Sequence, residues 1–419
     1  MAVSLAELII VSLIMDWALR KVRIPGLVGM LLAGIVFGSY ALGWIDENLL
    51  AISSDLRMVA MIVILLRAGL ELSKKTMARV GMRALLLSFI PATFEGAAIT
   101  FMGPYFLGLS FMESAILGSV LAAVSPAVVV PLMIRFIEKR MGAEKGIPTL
   151  ILAASSIDDV FVIVIYSVLI GMYTGSHMSI VWKLAGIPLS IVTGIAIGLA
   201  AGWLLYKLFQ HFNPRATKRV LILLGVAVLL IRVEELTKSW LPFSALLAVM
   251  AIGFIILEKR EHFAHELSAK LGKIWVFAEI ILFTMVGAQV NIGVALKTGL
   301  SGAAVIAIAL VFRSIGTWTC LIRSNFTTKE RLFIVISYIP KATVQAAIGA
   351  APLAAMKLVG MNTQPGEIIL AVAVLSILLT APIGAWAIAL TGDRVLHVAE
   401  PSVHEALDAA IESEAEDSL

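Results

Sequence analysis

The sequence predicts an all-α polytopic membrane protein with about 13 transmembrane helices. Of its 419 residues, 60% are hydrophobic and 14% are charged, whereas an ordinary soluble domain has about 25% charged residues. The mean hydropathy is +1.01. Apolar runs of about 20 residues recur between short charged connectors, and each run is long enough to cross a hydrocarbon core of about 30 Å. These features together exclude a soluble enzyme.

Thirteen apolar segments follow one another along the chain. They are centred near residues 11, 33, 62, 92, 122, 159, 195, 225, 248, 281, 308, 341 and 377. The first segment ends in Arg20, Lys21 and Arg23, whereas a signal peptide carries its basic residues first, so we expect it to be retained. Thirteen spans of about 21 residues leave no room for a large soluble domain within residues 1–394.

Lys and Arg residues collect on one side of the predicted membrane. Connectors on the side that the first segment reaches, together with the chain after the last segment, hold 23 of the 32 Lys and Arg residues. The opposite side holds six: Arg57, Lys183, Arg232, Lys238, Lys297 and Lys357. Cytoplasmic loops are the ones enriched in Lys and Arg. We therefore expect the N-terminus outside and the C-terminus in the cytoplasm.

The remaining composition excludes several other classes of site. The single cysteine, Cys320, rules out a disulfide framework and a cysteine-based metal cluster. The net charge of +4 has a topological explanation, so we expect the lipid bilayer, and no nucleic acid, as a partner. Residues 395–419 are predicted to form an acidic cytoplasmic tail with a solvated amphipathic helix. A pH or ion sensor is the alternative, but His397 and His404 alone do not support it.

Two adjacent aspartates, Asp158 and Asp159, lie in the middle of the sixth segment. Neighbouring residues on a helix point about 100° apart, so one carboxylate can face a cavity while the other pairs elsewhere. A partly desolvated carboxylate is neutralised either by a proton or by a bound cation, and the two then compete for one group. That competition is the minimal chemistry of an antiporter. The alternative is a structural pair satisfied by Ser155, Ser156 and the backbone.

Two of the segments do not have the pattern of a continuous helix. The fifth contains Ser125, Pro126 and Pro131, and the twelfth contains Pro340 followed by Lys341. Proline inside a helix removes a hydrogen bond and clashes with the preceding turn, so both segments are predicted to be interrupted in mid-membrane. They lie seven segments apart and therefore run in opposite directions. Interrupted helices at corresponding places of two inverted repeats indicate the midplane site of a transporter.

Charges of opposite sign occur within two further segments, at Glu95 and Arg313. An unpaired buried charge is expensive and a pair offsets much of the cost, so we expect these two side chains to form a structural charge pair. Arginine keeps its proton at any accessible pH. We therefore expect no transported proton on Arg313.

Other polar residues within the segments have less specific expectations. Lys341 is predicted to lie against the C-terminal end of a half-helix, where a cation is favoured. Thr343 and Gln345 are candidates to line the ion site with their oxygens. Arg67 and Glu279 are expected either to close charge pairs or to face a water-filled funnel.

The sequences SSIDDV, AVSPAVVVP and IPKATVQAAIG, in this order and spacing, resemble those of the cation/proton antiporters. The resemblance is to the branch that contains the animal NHA-type sodium/proton exchangers and their bacterial relatives, and it covers nearly the whole chain. It implies an NhaA-like fold with inverted repeats and two crossed discontinuous helices. It also implies a homodimer in a bacterial inner or plasma membrane.

The resemblance further assigns roles to regions and residues. Core helices, expected around 52–172 and 265–390, would move against dimerisation helices around 1–45 and 178–258. Asp159 matches the ion-binding aspartate, with Asp158 as its partner. The unwound, crossed segments match Ser125 to Pro131 and Pro340 to Gln345. The Arg313 position holds Arg in this branch where other antiporters have Lys.

These patterns predict a secondary antiporter that exchanges Na⁺ or Li⁺ for H⁺ by alternating access, and neither an enzyme nor a protein with a cofactor. A K⁺/H⁺ antiporter or a sodium-coupled symporter of the same architecture is the alternative. An intramembrane aspartyl protease is more remote, because it needs two facing carboxylates that share a proton. Two aspartates would allow electrogenic exchange, but a fixed charge on Arg313 favours electroneutral exchange.

Overall fold

The computed structural model describes residues 2–21, 24–72, 74–174, 180–237 and 243–398. Apart from one isolated β-bridge between Met141 and Val398, the regular structure within those ranges is helical. The helices are α1 (Ala2–Lys21), α2 (Gly26–Phe37), α3 (Glu47–Ala51), α4 (Ser53–Glu71), α5 (Lys74–Leu107), α6 (Phe111–Leu121), α7 (Pro126–Glu138), α8 (Ile147–Tyr173), α9 (Ile180–Phe212), α10 (Ala216–Thr237), α11 (Ala245–Lys259), α12 (Glu261–Ala288), α13 (Ile292–Leu321), α14 (Thr328–Ser337), α15 (Thr343–Ile348), α16 (Ala351–Leu358) and α17 (Gln364–Val395). The all-α prediction is confirmed.

The predicted segment positions coincide with these helices. Eleven of the thirteen predicted centres fall within a helix, and the other two, 122 and 341, fall in breaks between helices. Eight helical stretches of the described chain are each long and apolar enough to cross a membrane. Shorter helices such as α2 and α11 do not meet that length individually, so the number of spans stays a prediction.

The helices pack into two groups. One contains α5 to α8 and α13 to α17, and the other contains α1, α2, α4 and α9 to α12. The predicted boundaries of the core, at 52 and 265, therefore differ from the packing, because α4 and α12 pack chiefly against each other and against α2 and α11.

Glycines explain why α4 and α12 join the second group. Gly69 of α4 lies against the backbone of Met250 in α11, and Gly34 of α2 lies against the backbone of Thr284 in α12. Small residues allow such close approach of membrane helices. A sequence pattern does not reveal it, because lipid and a neighbouring helix favour the same apolar residues.

The two interrupted segments break at places that differ from the prediction. The chain unwinds at residues 122–125, and Pro126 is the first residue of α7, while Pro131 lies inside that helix. The prediction of an unwound segment from Ser125 to Pro131 was therefore wrong beyond its first residue. Proline fits the first turn of a helix, where its missing N–H has no partner to lose.

The second break has a similar offset. Regular helix ends at Ser337 and resumes at Thr343, so the unwound stretch is 338–342. Pro340 and Lys341 lie in it, whereas Thr343 and Gln345 belong to α15. The predicted range from Pro340 to Gln345 is thus correct only in its first part.

The chain after α17 turns back onto the loop between α7 and α8. The N–H of Gly142 donates to the carbonyl of His397 at 2.8 Å, and Arg135 lies 3.6 Å from Asp393. The predicted acidic tail, with His404 and all seven of its acidic side chains, lies beyond residue 398 and so outside the described residues.

Candidate ion-binding site

The two breaks cross and contact each other. The N–H of Ser125 donates to the carbonyl of Pro340 at 2.9 Å, and the N–H of Thr343 donates to Ser125 Oγ at 3.4 Å. Gln345 Nε2 donates to the carbonyls of Val120, Leu121 and Ala123 at 3.2, 3.2 and 3.0 Å. These contacts supply hydrogen-bond partners to backbone N–H and C=O groups that have no intrahelical partner at the breaks. Such partners are necessary because lipid offers no hydrogen bonds.

Four buried charged side chains surround the crossing. Glu95 Oε2 lies 2.6 Å from Arg313 Nη1 and 2.6 Å from Lys341 Nζ. Arg313 Nη2 lies 3.0 Å from Asp158 Oδ2. The structure places Glu95 beside Arg313, where the sequence had suggested a simple pair. Two acids and two bases form one network whose formal charges cancel. We call these four residues the charge network.

Backbone groups of the broken helices complete the charge network. Arg313 donates from Nε to the carbonyl of Tyr338 at 2.7 Å and from Nη1 to the carbonyl of Ala122. Lys341 Nζ donates to the carbonyl of Ala123 at 3.2 Å. These carbonyls lie at the C-terminal ends of α14 and α6, where the helix dipole favours a cation. The predicted position of Lys341 at such an end is found.

Asp158 is held by Arg313 and by the backbone of the first break, and Ser155 does not take part. Asp158 Oδ2 accepts a hydrogen bond from the N–H of Val124 at 2.8 Å, in addition to the contact with Arg313. Ser155 is buried, and its hydroxyl donates to the carbonyl of Leu152 in its own helix at 3.1 Å. The side chain of Ser156 lies outside the described part of the chain.

The Oδ1 atoms of both aspartates lack a hydrogen-bond partner among the described residues, but Asp158 forms an ion pair with Arg313, whereas no ion pair within those residues involves Asp159. The side chain of Asp159 is 3% exposed. Asp159 lines a cavity of about 10 Å³ together with Thr343, whose Oγ1 also lacks a partner among those residues. A cavity of this volume is close to the lower limit for one water molecule.

A second, larger cavity of about 400 Å³ lies on one side of the Asp159 cavity. Residues of α7 line it from Pro126 to Leu132, and Arg67 and Glu279 face it from α4 and α12. Ile64 of α4 lines both cavities. Arg67 also pairs with Glu71 at 3.3 Å. Both sequence expectations for Arg67, a charge pair and a funnel, are therefore found together.

Sequence reasoning missed several groups of the site. Thr380 Oγ1 accepts a hydrogen bond from the N–H of Lys341 at 2.8 Å, and Ile64 connects the two cavities. The backbone carbonyls of residues 120–123 and 338 also contact the site, but the sequence could not predict them because every residue has such a group. Pairing of Lys341 with Glu95 was open to prediction, since an acid is the usual partner of a buried lysine.

Two broken helices that meet beside a buried carboxylate are the arrangement typical of the ion site of a secondary transporter. Residues 8–390 match the family model described as "Sodium/hydrogen exchanger, transmembrane". The chain belongs to this family, and the resemblance inferred from the three motifs is confirmed. The transported ions of such a family are substrates, and the transport needs no cofactor.

Relatives with names agree with this assignment. Sodium/hydrogen exchanger 9B2 of Homo sapiens is 34% identical over 403 residues, covering 93% of this chain and 73% of the human chain. Sodium/hydrogen exchanger 9B1 of Homo sapiens is 31% identical over 385 residues, covering 89% and 73%.

A solved structure supports the fold. The sodium proton antiporter MjNhaP1 from Methanocaldococcus jannaschii, at pH 8, superposes with a TM-score of 0.80 at 21% identity, covering 93% of this chain and 97% of that one. The antiporter fold predicted from the sequence is confirmed.

Proposed function

We propose that the chain exchanges Na⁺ or Li⁺ for H⁺ by alternating access, with Asp159 as the group that carries either ion. The observation that supports this role is the balance of charge at the crossing. Glu95 and Asp158 are compensated by Arg313 and Lys341, whereas Asp159 forms no ion pair among the described residues, and its Oδ1 has no hydrogen-bond partner there. A buried carboxylate without a partner is costly, so Asp159 binds a proton or a cation in either loaded state.

The ligands near Asp159 suit a small alkali cation. Carboxylate, hydroxyl and water oxygens are the ligands of hard cations. Asp159 and Thr343 line one small cavity, and Asp159 Oδ1 and Thr343 Oγ1 have no hydrogen-bond partner among the described residues. The 400 Å³ cavity, which shares Ile64 with the small one, supplies a route for water and ions. On protonation, the carboxyl becomes neutral and needs no cation. We propose Ser125, Pro126 and Gln345 as supports of this site rather than as direct ligands.

The experiment that tests the function is a flux assay in sealed proteoliposomes. A pH gradient is imposed, and Na⁺, Li⁺ and K⁺ are offered in turn. We expect proton movement with Na⁺ or Li⁺ and none with K⁺. Proton movement with K⁺ alone would establish the K⁺/H⁺ alternative, and co-directional sodium and solute movement would establish a symporter.

The aspartyl protease alternative does not suit the geometry. Asp158 Oδ2 accepts hydrogen bonds from Arg313 and from the N–H of Val124, and no hydrogen bond joins Asp158 Oδ1 to Asp159 Oδ1, since neither atom has a partner among the described residues. The two carboxyls therefore do not share a proton, as an aspartyl dyad must.

We propose that Asp158 supports Asp159 without binding the ion directly. Asp158→Asn is expected to leave measurable exchange with an altered apparent affinity for Na⁺ or an altered pH profile, since an amide oxygen can still accept from the N–H of Val124. Sodium-dependent proton flux at several Na⁺ concentrations measures this, beside Asp159→Asn. An inactive Asp158→Asn protein together with an active Asp159→Asn protein would reverse the two roles.

We propose that the exchange is electroneutral, one Na⁺ for one H⁺. Arg313 stays charged, and Asp158 remains tied to it through the cycle, so only Asp159 changes its load. A membrane potential of 100 mV acts on each net charge moved with about 2.3 kcal/mol. We expect the equilibrium sodium gradient across proteoliposomes to be unchanged by such a potential. A gradient that follows the potential would require a second proton carrier.

We propose that the large cavity opens to the cytoplasm and that the protein is a homodimer. Arg20 and Glu71 line this cavity. They lie at the C-terminal ends of α1 and α4, on the side of the predicted membrane that holds most of the Lys and Arg residues and is therefore expected to be cytoplasmic. Apolar side chains such as Trp17 of α1 and Leu229 of α10 are exposed on the second group of helices. Lipid or a second copy must cover them. Cross-linking in native membranes tests the dimer, and side-specific labelling of a C-terminal tag tests the orientation.

A further inference from the structure

Arg57 is a buried charge that the ion site does not use. It lies in α4 and is 4% exposed. Its Nε donates to the carbonyl of Ser53, four residues earlier in the same helix, at 3.2 Å. Its Nη1 is buried and finds no hydrogen-bond partner among the described residues. The sequence predicts Arg57 in a connector outside the membrane, where water would satisfy the hydrogen bonds of its guanidinium.

Along α4, the Asp159 cavity lies between Arg57 and the large cavity. Met61, one turn after Arg57, lines the Asp159 cavity, and Arg67 lines the large cavity. The rise of a helix puts Arg57 and Arg67 about 15 Å apart along the axis.

Helix α8 has the same order in the reverse direction. Leu152 lines the large cavity, and Asp159 and Ile163 line the small one. Tyr166 follows on the same face and is 7% exposed. It lies close enough to Arg57 for the two side chains to influence each other electrostatically. Arg57 in α4 and Tyr166 in α8 therefore both lie beyond the ion site, on the side away from the large cavity.

Burial of the Arg57 guanidinium raises the free energy of the conformation seen in the structure, in which the large cavity is open. Arginine cannot escape the cost of burial by losing its proton. A buried N–H without a partner costs the full loss of its hydration. Within an alternating-access cycle, which is part of the proposed function, the opposite state opens this side and hydrates the group.

We propose that Arg57 is a positioning residue for ion exchange, which disfavours the state with the large cavity open and so promotes the return of Asp159 to the opposite side. The enclosed charge acts only on the balance between the two states. It does not contact the transported ion, because the Asp159 cavity is lined by Met61 and not by Arg57.

Labelling of one introduced cysteine tests this balance without any transport. Ile64→Cys, in a chain with Cys320→Ser, places a thiol at the junction of the two cavities. A small membrane-impermeant thiosulfonate reagent is applied from either side of sealed vesicles that contain the full chain. In Arg57→Met we expect the ratio of the two labelling rates to shift about tenfold toward the side of the large cavity.

Three further variants make the result specific. Arg57→Gln is also neutral and is expected to shift the ratio in the same direction, and it serves where the Met variant does not fold. Arg57→Lys can keep the charge and is expected to restore the ratio toward that of the parent. Arg232→Met removes an exposed arginine of α10 that pairs with Glu235 at 2.8 Å, and no shift is expected.

A labelling ratio that stays the same in both neutral variants, or that shifts to the opposite side, overturns the proposal. A lowered melting temperature with an unchanged ratio makes Arg57 a structural residue. Sodium-driven proton flux of the parent protein is measured in the same vesicles. Absence of that flux would contradict the proposed exchange, whereas the labelling ratio tests Arg57 independently.

Discussion

Asp159→Asn is expected to abolish sodium/proton exchange, with a loss of at least about 100-fold, while the protein stays folded. An amide neither titrates nor supplies the negative ligand that a dehydrated Na⁺ requires. The change removes no ion pair, because Asp159 Oδ1 has no partner among the described residues. It replaces a buried carboxylate with a neutral group, so the melting temperature in detergent should be equal to or higher than that of the parent.

The matched control for Asp159→Asn is Asp393→Asn. Asp393 is a half-exposed aspartate that lies 3.6 Å from Arg135 at the end of α17, far along the chain from the crossing. We expect its variant to exchange normally. Substantial sodium-driven proton flux in the Asp159→Asn protein would exclude Asp159 as the ion carrier. Loss of flux with a strongly lowered melting temperature would indicate a structural role instead.

Arg313→Met is expected to cause the largest loss of stability, about 3 to 5 kcal/mol, because it leaves two buried acids, Glu95 and Asp158, with Lys341 as the one remaining base of the charge network. It also leaves the carbonyls of Tyr338 and Ala122 without their donor. Thermal or denaturant unfolding in detergent measures the loss. Arg135→Met, which breaks an exposed pair, should change the free energy of unfolding by at most about 0.5 kcal/mol.

The double variant Glu95→Gln with Arg313→Met tests whether the charges act as one network. It leaves Lys341 and Asp158 as one base and one acid, so the net charge of the site is again zero. We expect the double variant to lose less stability than the sum of the two single variants. Strictly additive losses would show that Glu95 and Arg313 are not coupled.

The sequence by itself was sufficient for the fold class and for the two central motifs. Lipid offers no hydrogen bonds to the backbone, so long apolar runs in this chain could only be helices or a closed barrel, and their length and continuity favoured helices. Asp158 and Asp159 were conspicuous because charge is rare at membrane depth. Their divergence was also predictable, since the angle between neighbours on a helix is a local property. Interruption near Pro126 and Pro340 followed from the chemistry of proline, but its limits did not, because proline starts a helix as readily as it ends one.

Only the tertiary structure decided which charges meet and which buried carboxylate has no basic partner among the described residues. Asp158 and Arg313 are 155 residues apart, and Glu95 and Lys341 are 246 residues apart, so no local pattern joins them. The grouping of α4 and α12 and the burial of Arg57 were equally out of reach, because an apolar helix face has the same composition whether it meets lipid or protein. Residue type and spacing were therefore sufficient to predict that charged residues lie within the membrane-spanning helices of this chain. The compensation of their charges at the helix crossing, which leaves Asp159 without a basic partner among the described residues, depends on contacts that form only when distant segments pack together.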